Sequence, residues 1–158
     1  MNIFYLHKDP ETCSRYHVDK HVVKMILETA QLLSTTHWVS GSEGPYRQTH
    51  KNHPSAIWAR SNKSNYTWLC KLGMELCKEY THRYGKIHKT QQHLEWLSTN
   101  IPNIPDGEFT QPSLAMPEQY KRKDHIESYQ LYYIKDKSHL HNWKKRKQPE
   151  FIAQGVDF

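Results

Sequence analysis

Residues 17 to 31, HVDKHVVKMILETAQ, have the spacing of a helix whose surface is mostly apolar. Successive residues of an α-helix lie about 100° apart, so a set of polar side chains in this stretch falls within one narrow arc. Most of the other positions are valine, isoleucine, leucine or alanine. A helix of this kind must be largely buried, and its polar stripe must then face either solvent or a site. The stripe consists of His17, His21, Lys24, Glu28 and Gln31.

The apolar pattern elsewhere also predicts helices. Between residues 66 and 84, apolar side chains recur at three- and four-residue intervals, and Gly85 is a typical helix stop. Asp9 and Pro10 are typical of a helix start, and this first helix is expected to run to about Thr36. Shorter helical patterns begin at residue 54 and cover residues 90–97 and 123–140.

We therefore expect an all-α fold, a compact domain of about four helices. Residues 2 to 6, NIFYL, form either a short strand or an extended arm, and residues 101–117, with four prolines, should be irregular. We expect a single helical DNA-binding and catalytic domain over residues 1–143. Residues 144–158, which begin with the basic run KKRK, are expected to be a loose tail.

Charge and cysteine content limit the partner and the compartment. The 158-residue chain has 22 lysines and arginines against 16 acidic residues, a formal charge of +6, which fits an anionic partner such as nucleic acid. Three cysteines without a close pair are typical of a reducing, cytoplasmic location. The N-terminal sequence does not resemble a signal peptide, and no apolar run is long enough to span a membrane, so we expect no membrane partner.

Glu28 is the candidate catalytic carboxylate of the stripe. Lys24 lies four residues before it and His21 seven residues before it, so both flank the acid on one helical face. A carboxylate beside lysine and histidine can stabilise a cationic intermediate or move a proton. The Lys24–Glu28 pair is also compatible with an ordinary surface ion pair.

Metal binding is an alternative for the histidines. His17 and His21 are four residues apart, a spacing that lets two imidazoles on a helix share one ion, and His50 and His53 could complete the ligand set. HVDKH is not the HExxH pattern of zinc proteases. This interpretation predicts a metal-dependent nuclease or phosphoesterase.

Two basic and aromatic clusters are candidate substrate contacts. Such mixtures suit phosphate contact combined with base stacking. The first cluster is also compatible with a hydrogen-bonded loop, and the second with cations at a helix C-terminus. A non-enzymatic nucleic-acid-binding protein would use both clusters equally well. With Lys20, the candidates are His50, Asn52, His53, Trp58 and Arg60 in the first cluster and Arg83, Tyr84, Lys86 and His88 in the second.

These residues resemble a known family. Asp19-Lys20-His21, six further residues and then Glu28 resemble the D-x-H-x6-E pattern on the first helix of phage pyrimidine-dimer DNA glycosylases of the endonuclease V type. The His53-Pro54 loop and the basic segment EYTHRYGK resemble a later part of that family, so the likeness covers roughly the first 90 residues. The chain is more closely similar to small phage-type proteins that carry a DK(H/R)VxKM-x2-E helix and a THxNHP loop, a likeness that brings no established activity.

The resemblance implies a virus-type helical DNA glycosylase, with AP-lyase activity as an option, that excises damaged or modified pyrimidines. In the family, an N-terminal α-amine attacks C1′ of the nucleotide and the glutamate supports the sugar cation, which predicts Glu28 as catalytic. The family's amine belongs to a threonine exposed by removal of Met1. Residue 2 here is the larger Asn2, so Met1 is expected to stay. Either the α-amine of Met1 takes the role, or the side-chain amine of Lys20 or Lys24 does, or the lyase chemistry is absent.

The same resemblance implies a partner and a mode of recognition. We expect duplex DNA as the partner, a monomeric protein and no cofactor. Recognition requires a nucleotide displaced from the stack, and Trp58 or Tyr84 could fill the gap that it leaves.

Overall fold

The computed structural model describes residues 1–154, and within them every regular element is a helix. The all-α class is confirmed, although the helices are more numerous than predicted. Two short 3₁₀ turns cover Glu118–Tyr120 and Ser138–Leu140. The α-helices are α1 (Pro10–Tyr16), α2 (Asp19–Val39), α3 (Pro54–Ser61), α4 (Lys63–Tyr84), α5 (Gln91–Thr99), α6 (His125–Asp136) and α7 (Glu150–Gln154).

The predicted first helix is broken in two, which the sequence analysis did not anticipate. His17 and Val18 have extended backbone angles, with ψ of 135° and 157°. The Val18 N–H donates to the Tyr133 hydroxyl on α6 at 3.2 Å, and the His17 ring bonds to the Cys13 carbonyl at 2.7 Å. These contacts satisfy the groups that helical hydrogen bonds would otherwise use. The expectation that His17 continues the stripe of α2 was therefore wrong.

The two long helices α2 and α4 form the centre of the core. Both are apolar along the faces that meet, and α1, α3 and α5 pack around them. Gly73 on α4 lies at the closest approach, because a Cβ there would be 2.9 Å from a Leu94 methyl group and 3.1 Å from the Thr29 methyl group. The missing side chain thus lets α2, α4 and α5 pack in contact.

The N-terminal residues form an extended arm and not a strand. Phe4, Tyr5 and Leu6 are buried, and the Phe4 ring lies between α2 and α6, where it contacts Tyr133. The Leu6 carbonyl accepts a hydrogen bond from Gln130 of α6 at 3.1 Å. Packing on both sides fixes the path of the arm, and this path positions the first residue of the chain.

Residues 101–117 are irregular, as predicted, and they lie as a strap across α3 and α4. Thr110 is held by the Asn65 side chain, which accepts from its N–H at 3.0 Å and donates to its hydroxyl at 3.0 Å. The Trp58 indole N–H also donates to the Thr110 carbonyl at 3.1 Å. The strap then continues to the N-terminal arm.

Residues 144–154 are packed on the body of the protein and do not form the loose tail that was expected. Arg146 donates to the Glu79 carboxylate of α4 at 3.0 Å, and Phe151 of α7 is buried against Tyr16. Residues 155–158 of the predicted tail lie outside the described part of the chain. In residues 1–154, no helix combines the length and the apolar character that crossing a membrane requires.

Candidate active site

The N-terminal amine of Met1 lies against the carboxylate of Glu28. The nitrogen is 3.2 Å from Glu28 Oε1, and the side chains of Met1 and Glu28 are nearly buried, with 6% and 11% of their surface exposed. Glu28 is on the middle of α2, while Met1 is brought there by the buried arm. An amine and a carboxylate in contact form a nucleophile and base pair of the kind that covalent catalysis uses.

The second oxygen of Glu28 has no hydrogen-bond donor within residues 1–154, although it is buried. Lys24 Nζ lies 3.7 Å away, close enough for an ion pair, and most of that lysine side chain is exposed. Buried carboxylate oxygens normally accept hydrogen bonds, and the exceptions call for an explanation such as a functional role. Oε2 therefore keeps unused capacity to accept a hydrogen bond within the site.

Asn2 fixes the position of the amine. Its Nδ2 donates to the Ala115 carbonyl of the strap at 3.0 Å, and its Oδ1 accepts from the Ile3 N–H at 2.8 Å and from the Tyr129 hydroxyl at 3.0 Å. Sequence reasoning used Asn2 only to argue that Met1 is retained and missed this role. Its partners lie 113 and 127 residues away, so no local pattern could have indicated it.

A polar cavity of about 400 Å³ opens on one side of the amine. The arm supplies part of its wall, α2 supplies a second part, and the strap and α6 close it. Its lining residues are Met1, Asn2, Phe4, His21, Lys24, Met25, Glu28, His53, Ala115, Tyr132 and Lys137.

His21 faces the polar cavity as a neutral ring. It stacks on Phe4 with ring centroids 4.1 Å apart, and its Nδ1 lies 2.7 Å from the Tyr133 hydroxyl. Burial lowers the pKa of His21 to about 3, so the ring is uncharged at neutral pH. The Tyr133 hydroxyl accepts from the Val18 N–H, and His21 Nδ1 is the acceptor that residues 1–154 offer to its proton. With this assignment the proton of the imidazole is on Nε2. His21 can donate a hydrogen bond to a substrate oxygen.

His53 presents a second neutral donor. Its Nδ1 accepts from the Ser55 N–H at 3.0 Å and caps α3. Partial burial lowers the pKa of His53, and the positive charge of the nearby Met1 amine lowers it further. The proton of the neutral ring is thus on Nε2, as in His21.

An apolar cavity of about 500 Å³ lies on the other side of the amine. Met1, Lys24 and Glu28 border both cavities, so the amine and carboxylate lie between them along the exposed face of α2. The remaining lining residues are Val23, Leu27, Gln31, His50, His88, Lys89 and Thr90.

Comparison with protein families gives one match. The model of the pyrimidine dimer DNA glycosylase family matches residues 1–94, more than half of the chain. The chain belongs to this family. No curated protein and no solved structure matches it. The family acts on DNA, and the match contains Met1, Asn2, Lys24 and Glu28, whereas the strap and α6 lie beyond its end.

The family assignment confirms the resemblance drawn from the Asp19 to Glu28 pattern. Of the residues predicted to be catalytic, the structure brings all four to one place: Met1, Lys24, Glu28 and His21 border the polar cavity. His50, His53 and His88 line the same two cavities.

Four predicted substrate contacts lie elsewhere. Arg83 is fully buried and donates to Asp19 at 2.9 Å and to Glu79 at 2.8 Å, so it supports the fold and cannot reach DNA. Trp58 is buried beneath the strap. One face of the Tyr84 ring is covered by Lys144 at 5.2 Å, and Arg60 donates to the Lys51 carbonyl.

The remaining predicted contacts are exposed but line neither cavity. They are Lys20 on α2, Asn52 before α3 and Lys86 after α4.

The four histidines proposed as metal ligands are not assembled into a site. His17 is fully buried, its ring is held by the Cys13 carbonyl, and burial lowers its pKa to about 4. His21 is engaged with Tyr133, while His50 and His53 lie on different cavities. Across residues 1–154, no group of three or more histidine, cysteine or acidic side chains could hold an ion.

Proposed function

We propose that the protein is a DNA glycosylase that excises damaged or modified pyrimidines through the α-amine of Met1, with Glu28 as the catalytic carboxylate. The observation that supports this most strongly is the 3.2 Å contact between the amine and Glu28 Oε1 in a site bordered by two cavities. The family match supports the glycosylase reaction and DNA as the substrate.

An α-amine suits this role better than a lysine side chain. As a class, α-amines have a pKa of about 8, against about 10.4 for lysine, so a larger fraction is unprotonated and nucleophilic at neutral pH. The Met1 amine also contacts Glu28 Oε1 at 3.2 Å, whereas Lys24 Nζ lies 3.7 Å from Glu28 on a side chain that is 69% exposed. Lys20 is exposed and borders neither cavity.

The reaction begins with loss of a proton from the Met1 amine to Glu28. The nitrogen forms a bond to C1′ of the displaced nucleotide while the bond from C1′ to the base breaks, and the base leaves with the electron pair and takes up a proton. Glu28 then acts as the acid that passes this proton to O4′ of the sugar as the ring opens. Opening of the sugar ring gives an imine, from which loss of the 3′ phosphate by β-elimination would provide AP-lyase activity.

The cavity residues bind and orient the nucleotide. The Nε2–H groups of His21 and His53 donate to oxygen atoms without adding charge, which suits the carbonyl groups of a pyrimidine. Lys24 and Lys137 add positive charge at the rim of the polar cavity and suit phosphate contact. With a chain charge of +6, we infer duplex DNA as the substrate and a monomer as the active form.

Borohydride trapping tests the proposal. The protein is mixed with duplex DNA that carries an abasic site or ultraviolet damage, with EDTA present, and the imine is reduced to a stable adduct. Wild-type protein should form the adduct, and Glu28→Gln should form it about a hundredfold to ten-thousandfold more slowly, because the base is lost.

Glu75→Gln is the matched control. Glu75 also pairs with a lysine of its own helix, Lys78 at 3.1 Å, but lies on α4 and borders neither cavity. This variant should trap at the wild-type rate. A wild-type protein that binds the DNA without forming any adduct would refute the amine mechanism and favour a protein that only binds nucleic acid.

A further inference from the structure

The turn after α4 presents an apolar side chain to solvent beside the candidate active site. Ile87 is 71% exposed, more than any other large hydrophobic residue within residues 1–154. Isolated apolar residues are common on protein surfaces, so exposure alone indicates nothing. Three further features of the turn distinguish Ile87: its rigidity, its position and its charged neighbours.

The turn is held rigidly around Ile87. Gly85 ends α4 with a φ of 69°, and its N–H donates to the Thr81 carbonyl at 2.8 Å. The Thr81 hydroxyl donates to the Lys86 carbonyl at 3.1 Å, and His88 Nδ1 accepts from the Thr90 N–H at 3.1 Å. The residues on both sides of Ile87 are thus tied down, while its side chain stays free.

The turn also borders the apolar cavity. His88, Lys89 and Thr90 form one of its walls, and Met1 and Glu28 border the same cavity. Val23 and Leu27 of α2 line the same cavity, so the turn lies beside α2. Ile87 thus directly precedes the residues that form this wall of the cavity, which the reacting amine also borders.

Lys86 and Lys89 flank Ile87, and both are exposed. An apolar tip between two cations suits duplex DNA, because the lysines can contact phosphates while the apolar group enters the base stack. A glycosylase must displace its target nucleotide, which leaves a gap in the stack. The aromatic residues expected to fill the gap are unsuited, because Trp58 is buried and a face of Tyr84 is covered by Lys144.

We propose that Ile87 is inserted into the base stack of duplex DNA at the place that the displaced nucleotide leaves. This inference rests on the proposed glycosylase function, since it assigns a residue that opens the duplex for that reaction. Isoleucine is among the side chains that proteins use as wedges between base steps.

Fluorescence of 2-aminopurine tests the insertion without requiring catalysis. The base is placed next to an abasic site in a duplex, where loss of stacking raises its emission. Wild-type protein should raise the emission on binding, and Ile87→Ala should reduce this rise by about tenfold or more, because the wedge that offsets unstacking is removed. Ile87→Met, which keeps an apolar side chain, should restore most of the signal.

Ile101→Ala is the matched control. Ile101 is another isoleucine with 45% exposure, and it borders neither cavity. It should give the wild-type rise. An Ile87→Ala variant with a wild-type rise, or a wild-type protein that gives no rise when bound, would overturn the proposal.

The trapping rate separates the wedge from the proposed function. Ile87→Ala should lower the ratio of the rate on duplex DNA to the rate on the same strand alone, and Ile101→Ala should not. An equal loss of trapping rate on duplex and single-stranded DNA would show that Ile87 makes a general contact with DNA, and would contradict insertion into the base stack. A fluorescence rise that depends on Ile87 but comes without any adduct would retain the wedge and refute the amine mechanism.

Discussion

Replacing Asn2 by leucine should reduce catalysis far more than stability. Leucine has a similar size, and the three hydrogen bonds of the Asn2 side chain to Ala115, Ile3 and Tyr129 are lost. Each hydrogen bond contributes about 1 kcal/mol to stability, and less is lost where water replaces a partner. The free energy of unfolding should therefore fall by about 1–3 kcal/mol. For a chain of this size, that lowers the melting temperature by roughly 2–12 °C.

The effect on the reaction should be larger because the amine loses its anchor. A misplacement of about 1 Å can cost about a hundredfold in rate. The Asn2 hydrogen bonds fix the backbone next to the amine, in addition to the packing of the Met1 side chain against the core. The assay is the single-turnover rate of borohydride trapping. It is measured well below the melting temperature and divided by the concentration of folded protein.

Asn65→Leu provides the control for stability. Asn65 also binds the strap through its side chain, with contacts of 3.0 Å to Thr110, but it lies in the first turn of α4 and borders neither cavity. It should melt at a lower temperature and trap at the wild-type rate. If Asn2→Leu is destabilised as calculated yet traps as fast as wild type, Asn2 does not position the amine.

Three further predictions concern the terminus, the histidines and the buried arginine. The intact mass should show that Met1 is retained. In Asn2→Thr, Met1 should be removed, as in the family's pattern, which moves the amine by about 3.8 Å along the chain. This variant should form the borohydride adduct slowly. A wild-type rate would show that the arm shifts to compensate. Because the pKa values of His21 and His17 are lowered to about 3 and 4, the unfolded chain binds more protons below pH 6.5. The free energy of unfolding should therefore fall as the pH drops from 6.5 towards 4, and His21→Gln should weaken this dependence in urea titrations; an unchanged dependence would refute the assignment. Arg83→Gln should cost about 3–5 kcal/mol of stability, because buried Asp19 loses its ion-pair partner and Glu79 loses one of the two arginines that bind it. The salt dependence of DNA binding should not change; a smaller salt slope would restore the predicted DNA contact.

The helical periodicity predicted the acidic half of the site. Lys24 and Glu28 are four residues apart on one helix, so their contact follows from local geometry alone. The break before α2 could not be predicted, because neither proline nor glycine marks it. Its cause is a hydrogen bond from Val18 to Tyr133, 115 residues away.

The amine half depends on contacts that are remote in sequence. The spacing of NIFYL left a strand and an arm equally open, and only packing against α6 and the strap decides its path. The burial of Arg83 also depends on contacts that are remote in sequence. A cation in the last turn of a helix has the same sequence pattern whether it faces solvent or, as here, binds Asp19 and Glu79 in the interior.

The most direct test of the central claim is mass mapping of the trapped adduct. The reduced protein–DNA complex is digested, and the peptide that carries the sugar remnant is sequenced. The amine mechanism predicts a single modified site on the α-amine of Met1. An adduct on Lys20 or Lys24, with an unmodified N-terminal peptide, would contradict the account.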